Sequence, residues 1–233
     1  MLTISHRGYC RDAVENTIEA FDCANRLGVD GIETDVRMTA DGSIVLFHDR
    51  RISDGRAVRD VEYRELVDIV GFTVPTLEEA LQWSDRLLWV LELKDSLATE
   101  SLIGALKPFV SSRNLLVISF WHNAISQIQQ QIDVECAVSV THRPTDFLAS
   151  QLRKWHTIVW QYEFVDQALI QESAGNGHRN LVYRAEGIDE HRRCFELGVD
   201  GIITDEPDLV AASKSPITRD TDVSAPTSSQ TTR

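Results

Sequence analysis

Short apolar, β-branched runs recur along the chain, and most are followed by a segment whose apolar residues fall at helical spacing. The runs predict strands near residues 2–6, 31–36, 43–48, 87–93, 115–119, 135–140, 157–161, 180–185 and 200–204. In the intervening stretch 16–27, Ile18, Phe21, Ala24 and Leu27 share one helical face. Asn16 with Glu19 offers a capping-box start, and Gly28 suits the residue just past the end. A second helix, 76–84, opens on Thr76 after Pro75 and carries Leu77, Ala80 and Leu81 on its apolar stripe.

Repeated strand-then-helix units imply parallel strands with helical crossovers. One strand breaks that rhythm. Ala40-Asp41-Gly42 is a tight hairpin signal, so 43–48 is expected to fold back antiparallel on the strand before it. Setting it aside leaves eight of the nine runs, and the predicted fold is α/β, a TIM (β/α)8 barrel with an extra β-hairpin after strand 2. An open doubly wound sheet is the alternative, but its Gly-rich first turn is missing. From about Lys214 apolar residues almost vanish among Ser, Thr and Pro. Residues 1–213 are therefore read as the barrel domain and 214–233 as a disordered tail.

A near-repeat adds an internal control. Residues 27–35 read LGVDGIETD and 197–205 read LGVDGIITD, so Glu33 stands where the twin strand carries Ile203. A carboxylate in place of isoleucine is a poor choice for stability alone. Asp205, which precedes Glu206-Pro207, is read as helping to start the last helix. Asp35 runs into the hairpin and has no helix to cap.

A net charge of −13 weighs against a nucleic-acid partner and requires any anionic ligand to find a local positive site. No apolar stretch approaches the roughly 20 residues of a membrane span, and MLTISHRG lacks the pattern of a signal peptide. The four cysteines, Cys10, Cys23, Cys136 and Cys194, are dispersed and read as buried reduced thiols. Together these features predict a cytoplasmic chain with no integral membrane segment.

Polar residues that carry chemistry cluster at predicted strand ends: His6-Arg7-Gly8, Glu33-Thr34-Asp35, His48-Asp49 and Glu92-Leu93-Lys94. In a barrel these ends form one mouth. Glu33 and Asp35, two apart on a strand, point the same way. With Glu92 they make a hard-oxygen site suited to a divalent cation, Mg2+ or Ca2+, rather than Zn2+. Arg7 and Lys94 are read as phosphate contacts, with ion pairs to the neighbouring carboxylates as the alternative. His6 and His48 can supply a general acid and base. Asp49 either joins the cation or orients His48. Trp121, Trp160 and Gln161 fall near strand ends and could line a substrate pocket, burial in the core being the other reading for the tryptophans. His122, His142, His156, His178 and His191 lack this setting and are treated as surface or core. No G-x-S-x-G, Walker or H-E-x-x-H pattern occurs.

The ordered set HRG, ENT, IETDV, DG, HD and LELK, closing with GVDGIITDEPDL, resembles the glycerophosphodiester phosphodiesterases. The resemblance implies a TIM-barrel enzyme that hydrolyses a small-molecule glycerophosphodiester to glycerol 3-phosphate and an alcohol with a divalent cation. It makes His6 and His48 the acid/base pair, Glu33, Asp35 and Glu92 the cation ligands, and Arg7 and Lys94 the phosphate contacts. Water or the neighbouring glycerol hydroxyl would be the nucleophile. Three departures stand out. Val14 replaces a proline before ENT. The segment after HD is the short RRISDGRAVRDVEY. Tyr183-Arg184-Ala185-Glu186 takes the place of a W-T-V-N-like strand end, which alters the alcohol or glycerol subsite: an aromatic residue, Tyr183, survives, but the amide becomes an acid, Glu186. The last of these leaves open a related enzyme acting on a sugar phosphodiester or a lysophospholipid headgroup. A non-catalytic anion-binding barrel is the remaining alternative.

Overall fold

The computed structural model of the chain describes residues 1–11, 13–145 and 151–213. Its strands are β1 (Leu2–His6), β2 (Gly31–Met38), β3 (Ile44–Leu46), β4 (Leu88–Leu93), β5 (Asn114–Ser119), β6 (Glu135–Val140), β7 (Thr157–Gln161), β8 (Arg179–Tyr183) and β9 (Gly201–Thr204). Its α-helices are α1 (Ile18–Arg26), α2 (Tyr63–Val70), α3 (Leu77–Trp83), α4 (Thr99–Leu106), α5 (His122–Gln131), α6 (Gln167–Gly175), α7 (Gly187–Leu197) and α8 (Pro207–Ser213). The strands follow the order β1-β9-β8-β7-β6-β5-β4-β2, and a β1–β2 pairing closes the ring. The eight ring strands are parallel, which is a TIM barrel. Strand β3 pairs antiparallel with β2 outside the ring, Val36 opposite Leu46 and Met38 opposite Ile44, as the Ala40-Asp41-Gly42 turn predicts. The tail expected from 214 onward lies outside the described residues.

Strand alternation divides the core into two layers. Inward residues Ile4, Leu88, Val90, Leu116, Ile118, Ala137, Val159, Leu181 and Ile203 fill the lumen. Outward residues, among them Ile32, Trp89, Val117, Val138, Trp160 and Ile202, pack under the helices. A smaller cluster of Val45, Ile52, Val58, Val61, Leu66 and Val74 lies beneath β3 and α2. None of the four cysteines is in a disulfide. The expectation of burial holds for Cys136 and Cys194, and burial pushes both thiols up to about 12. It is corrected for Cys10, which is exposed, and Cys23, which is half-buried.

Helix α3 begins as its sequence reads, with a complete Thr76–Glu79 capping box. The start of α1 differs. Thr17, not Asn16, is the N-cap, accepting from the Ala20 amide, because Asn16 turns left-handed with φ 58° and sends its side chain into the barrel. The strand expected over 180–185 stops at Tyr183 because Arg184 is also left-handed, φ 61°.

Gly8 is the tightest hinge between β1 and α1. Its φ is 81°, and a Cβ there would lie 2.7 Å from the Ala20 carbonyl carbon. Gly28, just past α1, has φ 75° and open space around it. Gly28→Ala should therefore cost about 1–2 kcal/mol, the left-handed strain alone. Gly8→Ala adds the clash and should cost several kcal/mol. Urea denaturation of the two variants compares them, and equal losses would contradict the packing described.

Candidate active site

Parallel register places the site. His6 pairs with Glu33 between β1 and β2, and Asp35 pairs with Glu92 between β2 and β4. The alternation that aims Ile203 into the lumen of β9 aims Glu33 inward on β2, and Asp35 follows one rung nearer the mouth. Oxygens of Glu33, Asp35 and Glu92 lie within 4.8 Å of one another, and all three residues are buried.

The cluster is held by positive charge and by one amide. The Arg7 Nε lies 2.9 Å from Asp35 Oδ2, and Lys94 Nζ lies 3.0 Å from both Asp35 Oδ1 and Glu92 Oε1. Asp35 thus receives both cations, so the ion-pair reading of Arg7 and Lys94 describes this geometry. Asn16, 2% exposed, donates through Nδ2 to Asp35 Oδ2 at 2.9 Å. Its Oδ1 accepts from Thr34 Oγ1 at 2.6 Å and from the Asp35 amide at 3.2 Å. Arg7 is left-handed, φ 57°, with its amide on the Glu33 carbonyl and its carbonyl on the Asn16 amide. Its Nη1 donates to Glu15 Oε2 at 2.9 Å. The HRG and ENT segments are therefore two sides of one clamp around Asp35.

These contacts sort the carboxylates. For Asp35, burial pushes the pKa up, but Lys94, Arg7 and the Asn16 hydrogen bond outweigh it, and the net direction is down. Glu92 is raised by burial, with Lys94 working against it. Glu33 is pushed up to about 8 by burial and by the neighbouring Asp35 charge. Both Glu33 oxygens are buried and neither accepts a hydrogen bond. A buried carboxylate without donors is costly, and a divalent cation among three hard oxygens would remove that cost. The residues present fit such an ion.

His6 lies beside the cluster, and His48 lines the same cleft as Glu92 and Lys94. The His6 Nδ1 lies 2.7 Å from Asp205 Oδ1, and Nε2 lies 3.8 Å from Glu33 Oε2. Burial lowers the His6 pKa, but the Asp205 hydrogen bond and the Glu33 charge outweigh it, so the net shift is upward. Asp205 is pulled down, first by the hydrogen bond from His6 and also by the charges of Arg7 and Arg184. The reading of Asp205 as a helix-start residue is corrected: β1 and β9 pair through Ser5 and Thr204, which brings the next residues of both strands together at the mouth. His48 Nδ1 lies 2.9 Å from the exposed Asp49, so of the two alternatives for Asp49 the structure shows the contact with His48. Arg37, on the same face of β2 as Asp35, donates to the His48 carbonyl through Nε at 2.9 Å and Nη2 at 2.6 Å.

A cleft of about 560 Å³ joins these groups, lined by His6, Arg7, His48, Glu92 and Lys94 and, farther out, by Phe120, Gln161, Tyr183, Arg184 and Glu186. Gln161 and Tyr183, both expected at a pocket, line it, with Tyr183 Oη donating to Gln161 Oε1 at 3.4 Å. Trp160 does not. It is fully buried on the outward face of β7, its Nε1 donating to Asn180 Oδ1 at 2.9 Å, since neighbours in a strand face opposite ways. Trp121, at the start of α5, is half exposed and absent from the cleft lining. The preceding Phe120 is the residue there, edge-on to Tyr183 with ring centroids 6.1 Å apart. Asn16, Glu15, Arg37, Phe120 and Asp205 are thus site residues that sequence reasoning missed, although the ENT motif already contained two of them.

The fold and the site define a TIM barrel whose mouth carries a buried acidic cluster and a cleft lined by two histidines. The chain belongs to the Glycerophosphoryl diester phosphodiesterase family, whose sequence profile matches residues 6–209, from His6 past Asp205. A glycerophosphodiester phosphodiesterase of Caldanaerobacter subterraneus subsp. tengcongensis is 27% identical over 238 residues, covering 90% of this chain and 96% of its own. A lysophospholipase D of Homo sapiens is 22% identical over 260 residues, covering 88% and 83%. Among solved structures, an Oleispira antarctica phosphodiesterase in complex with the product sn-glycerol-3-phosphate has the same fold, with a TM-score of 0.83 at 21% identity over 91% of this chain and 96% of that one. No helix among the described residues is long and apolar enough to cross a membrane.

The raised Glu33 carboxyl makes a stability prediction. Its folded pKa of about 8 lies above the ordinary 4.5, so the cation-free protein loses stability as pH rises through that window. Denaturation in EDTA should show the wild type falling by a few kcal/mol between pH 5 and 8.5 relative to Glu33→Gln. Parallel pH profiles for the two proteins would show that Glu33 is not a strained carboxylate.

Proposed function

We propose that this chain hydrolyses glycerophosphodiesters, adding water across the phosphodiester to release glycerol 3-phosphate and an alcohol. The observation that carries the reading is the Glu33 carboxylate, buried without a donor beside Asp35 and Glu92, in a mouth that also presents His6, His48, Arg7 and Lys94. Family membership and the named activity of the relatives support the same reaction.

Glu33, Asp35 and Glu92 would hold a divalent cation, Mg2+ or Ca2+. Lewis-acid charge from such an ion would act on a phosphoryl oxygen and would offset the negative charge of the transition state. Arg7 and Lys94 add positive charge from the cleft wall. His6 is fixed through Nδ1 by Asp205, which leaves Nε2 as the atom that moves a proton. His48 is fixed in the same way by Asp49 and by Arg37 on its carbonyl. One histidine takes the proton of the nucleophile and the other gives a proton to the leaving oxygen. A hydroxyl of the substrate's own glycerol, if it attacks first, would gain from proximity and give a cyclic phosphate that water then opens.

A second reading keeps the chemistry and changes the headgroup. The segment Tyr183–Glu186 departs from the family pattern and lines the cleft, and a lysophospholipase D is among the relatives. A panel of glycerophosphocholine, glycerophosphoethanolamine, a sugar glycerophosphodiester and a lysophospholipid, read by release of glycerol 3-phosphate or lysophosphatidate, separates the two.

Activity should vanish in EDTA and return with Mg2+ or Ca2+. His6→Ala and His48→Ala should each lower kcat by roughly 10²–10⁴-fold. Glu33→Ile, which copies the twin strand, should fold and abolish cation-dependent cleavage. Full activity in that variant, or activity that survives both EDTA and His48→Ala, would refute the proposal.

A further inference from the structure

The cleft extends well beyond the cluster that would engage a phosphodiester, and its outer wall contains a strained cation. Arg184 follows the last residue of β8 with φ 61°, a backbone that is unfavourable for any residue with a Cβ. Such conformations persist where the surroundings over-determine them, and here the anchors are visible. The Ala185 carbonyl accepts from His191 Nε2 at 3.1 Å, and the Gly187 amide donates to Glu206 Oε2 at 2.7 Å. Ala185 is 1% exposed and His191 is fully buried. With residue 185 held by His191 of α7 and residue 187 by Glu206, which lies between β9 and α8, the chain turns at 184, and the turn leaves Arg184 exposed on the cleft wall.

The guanidinium there is uncommitted: among the described residues it makes no hydrogen bond and no ion pair. Its charge nevertheless reaches Asp205, on the same cleft. A planar fork of unspent donors matches a carboxylate or a phosphate.

We propose that Arg184 is a specificity-determining residue whose guanidinium binds an anionic group, carboxylate or phosphate, carried by the substrate in addition to the scissile phosphodiester. The inference rests on the phosphodiesterase reading above and narrows it to glycerophosphodiesters with an acidic leaving alcohol. Glu186 lines the same cleft with the opposite charge. An amino group on the alcohol would sense it whether or not a carboxylate is present.

Glycerophosphoserine and glycerophosphoethanolamine differ by one carboxylate and so isolate the contact. The wild-type ratio of their kcat/KM values should favour the serine diester by about tenfold or more. Arg184→Gln should bring that ratio to within about twofold of one, and Arg184→Lys, which keeps the charge but loses the fork, should fall between. A wild-type ratio at or below one overturns the proposal without any variant, and so does a ratio that Arg184→Gln leaves unchanged. If neither diester is cleaved, the phosphodiesterase reading fails on its own, and calorimetry decides the rest. Tighter binding of O-phosphoserine than of phosphoethanolamine in the wild type, lost in Arg184→Gln, supports the contact, and equal affinities in the wild type overturn it.

Discussion

Three buried carboxylates within 4.8 Å of one another are the constraint on which the mouth of this barrel depends. At that separation a pair of like charges repels by ~3–4 kcal/mol at an effective dielectric of about 20. A barrel end designed for stability would not assemble such a set. Arg7 and Lys94 offset it by converging on Asp35, and Asn16 adds hydrogen bonds to the same residue. The compensation is uneven: Asp35 is kept ionised, whereas Glu33 receives no donor and is pushed toward its neutral form. That asymmetry is why Glu33, the carboxylate that no protein group satisfies, carries the functional argument.

The clamp around Asp35 dictates backbone that would otherwise be unfavourable. Among the described residues, the three non-glycine positions with positive φ are Arg7, Asn16 and Arg184. Two belong to the clamp and the third to the outer wall of the cleft. Arg7 must turn left-handed for its amide to meet the Glu33 carbonyl while its guanidinium returns to Asp35. Gly8 then continues the turn where a side chain would strike α1. Strain of this kind gathers where structure serves function rather than stability, and the lumen beneath, filled with aliphatic side chains, shows none.

Strand periodicity made the fold legible. The eight-strand count followed once Ala40-Asp41-Gly42 was read as a hairpin, because a turn signal is local and needs no tertiary knowledge. The same alternation put Glu33 and Asp35 on one face. It also contained the information that Trp160 and Gln161 must face opposite ways, so one of that pair had to leave the cleft. Asn16 was harder to read. As a side chain ahead of a helix it satisfies the local rule for a cap, and only the approach of Asp35, nineteen residues on, recruits it inward. Phe120 in place of Trp121 is a shift of a single residue at a strand end, where boundaries are the least determined part of a sequence reading.

The twin strands sharpen this distinction between local and tertiary information. As sequence, Asp35 and Asp205 share a nonapeptide, and a helix-starting role for Asp205 weakens the case for Asp35 as a ligand. Barrel closure reverses that inference. Strand β1 lies between the two copies, pairing with β2 through His6–Glu33 and with β9 through Ser5–Thr204. Both aspartates therefore reach the mouth from opposite sides of His6, one within the acidic cluster and one on the imidazole Nδ1. The repeated aspartate is shared because both strands deliver it to one site, and the unshared Glu33 and Ile203 mark where that site ends and the lumen begins. A linear repeat cannot display this, since the relation between the copies is made by a strand that lies outside both.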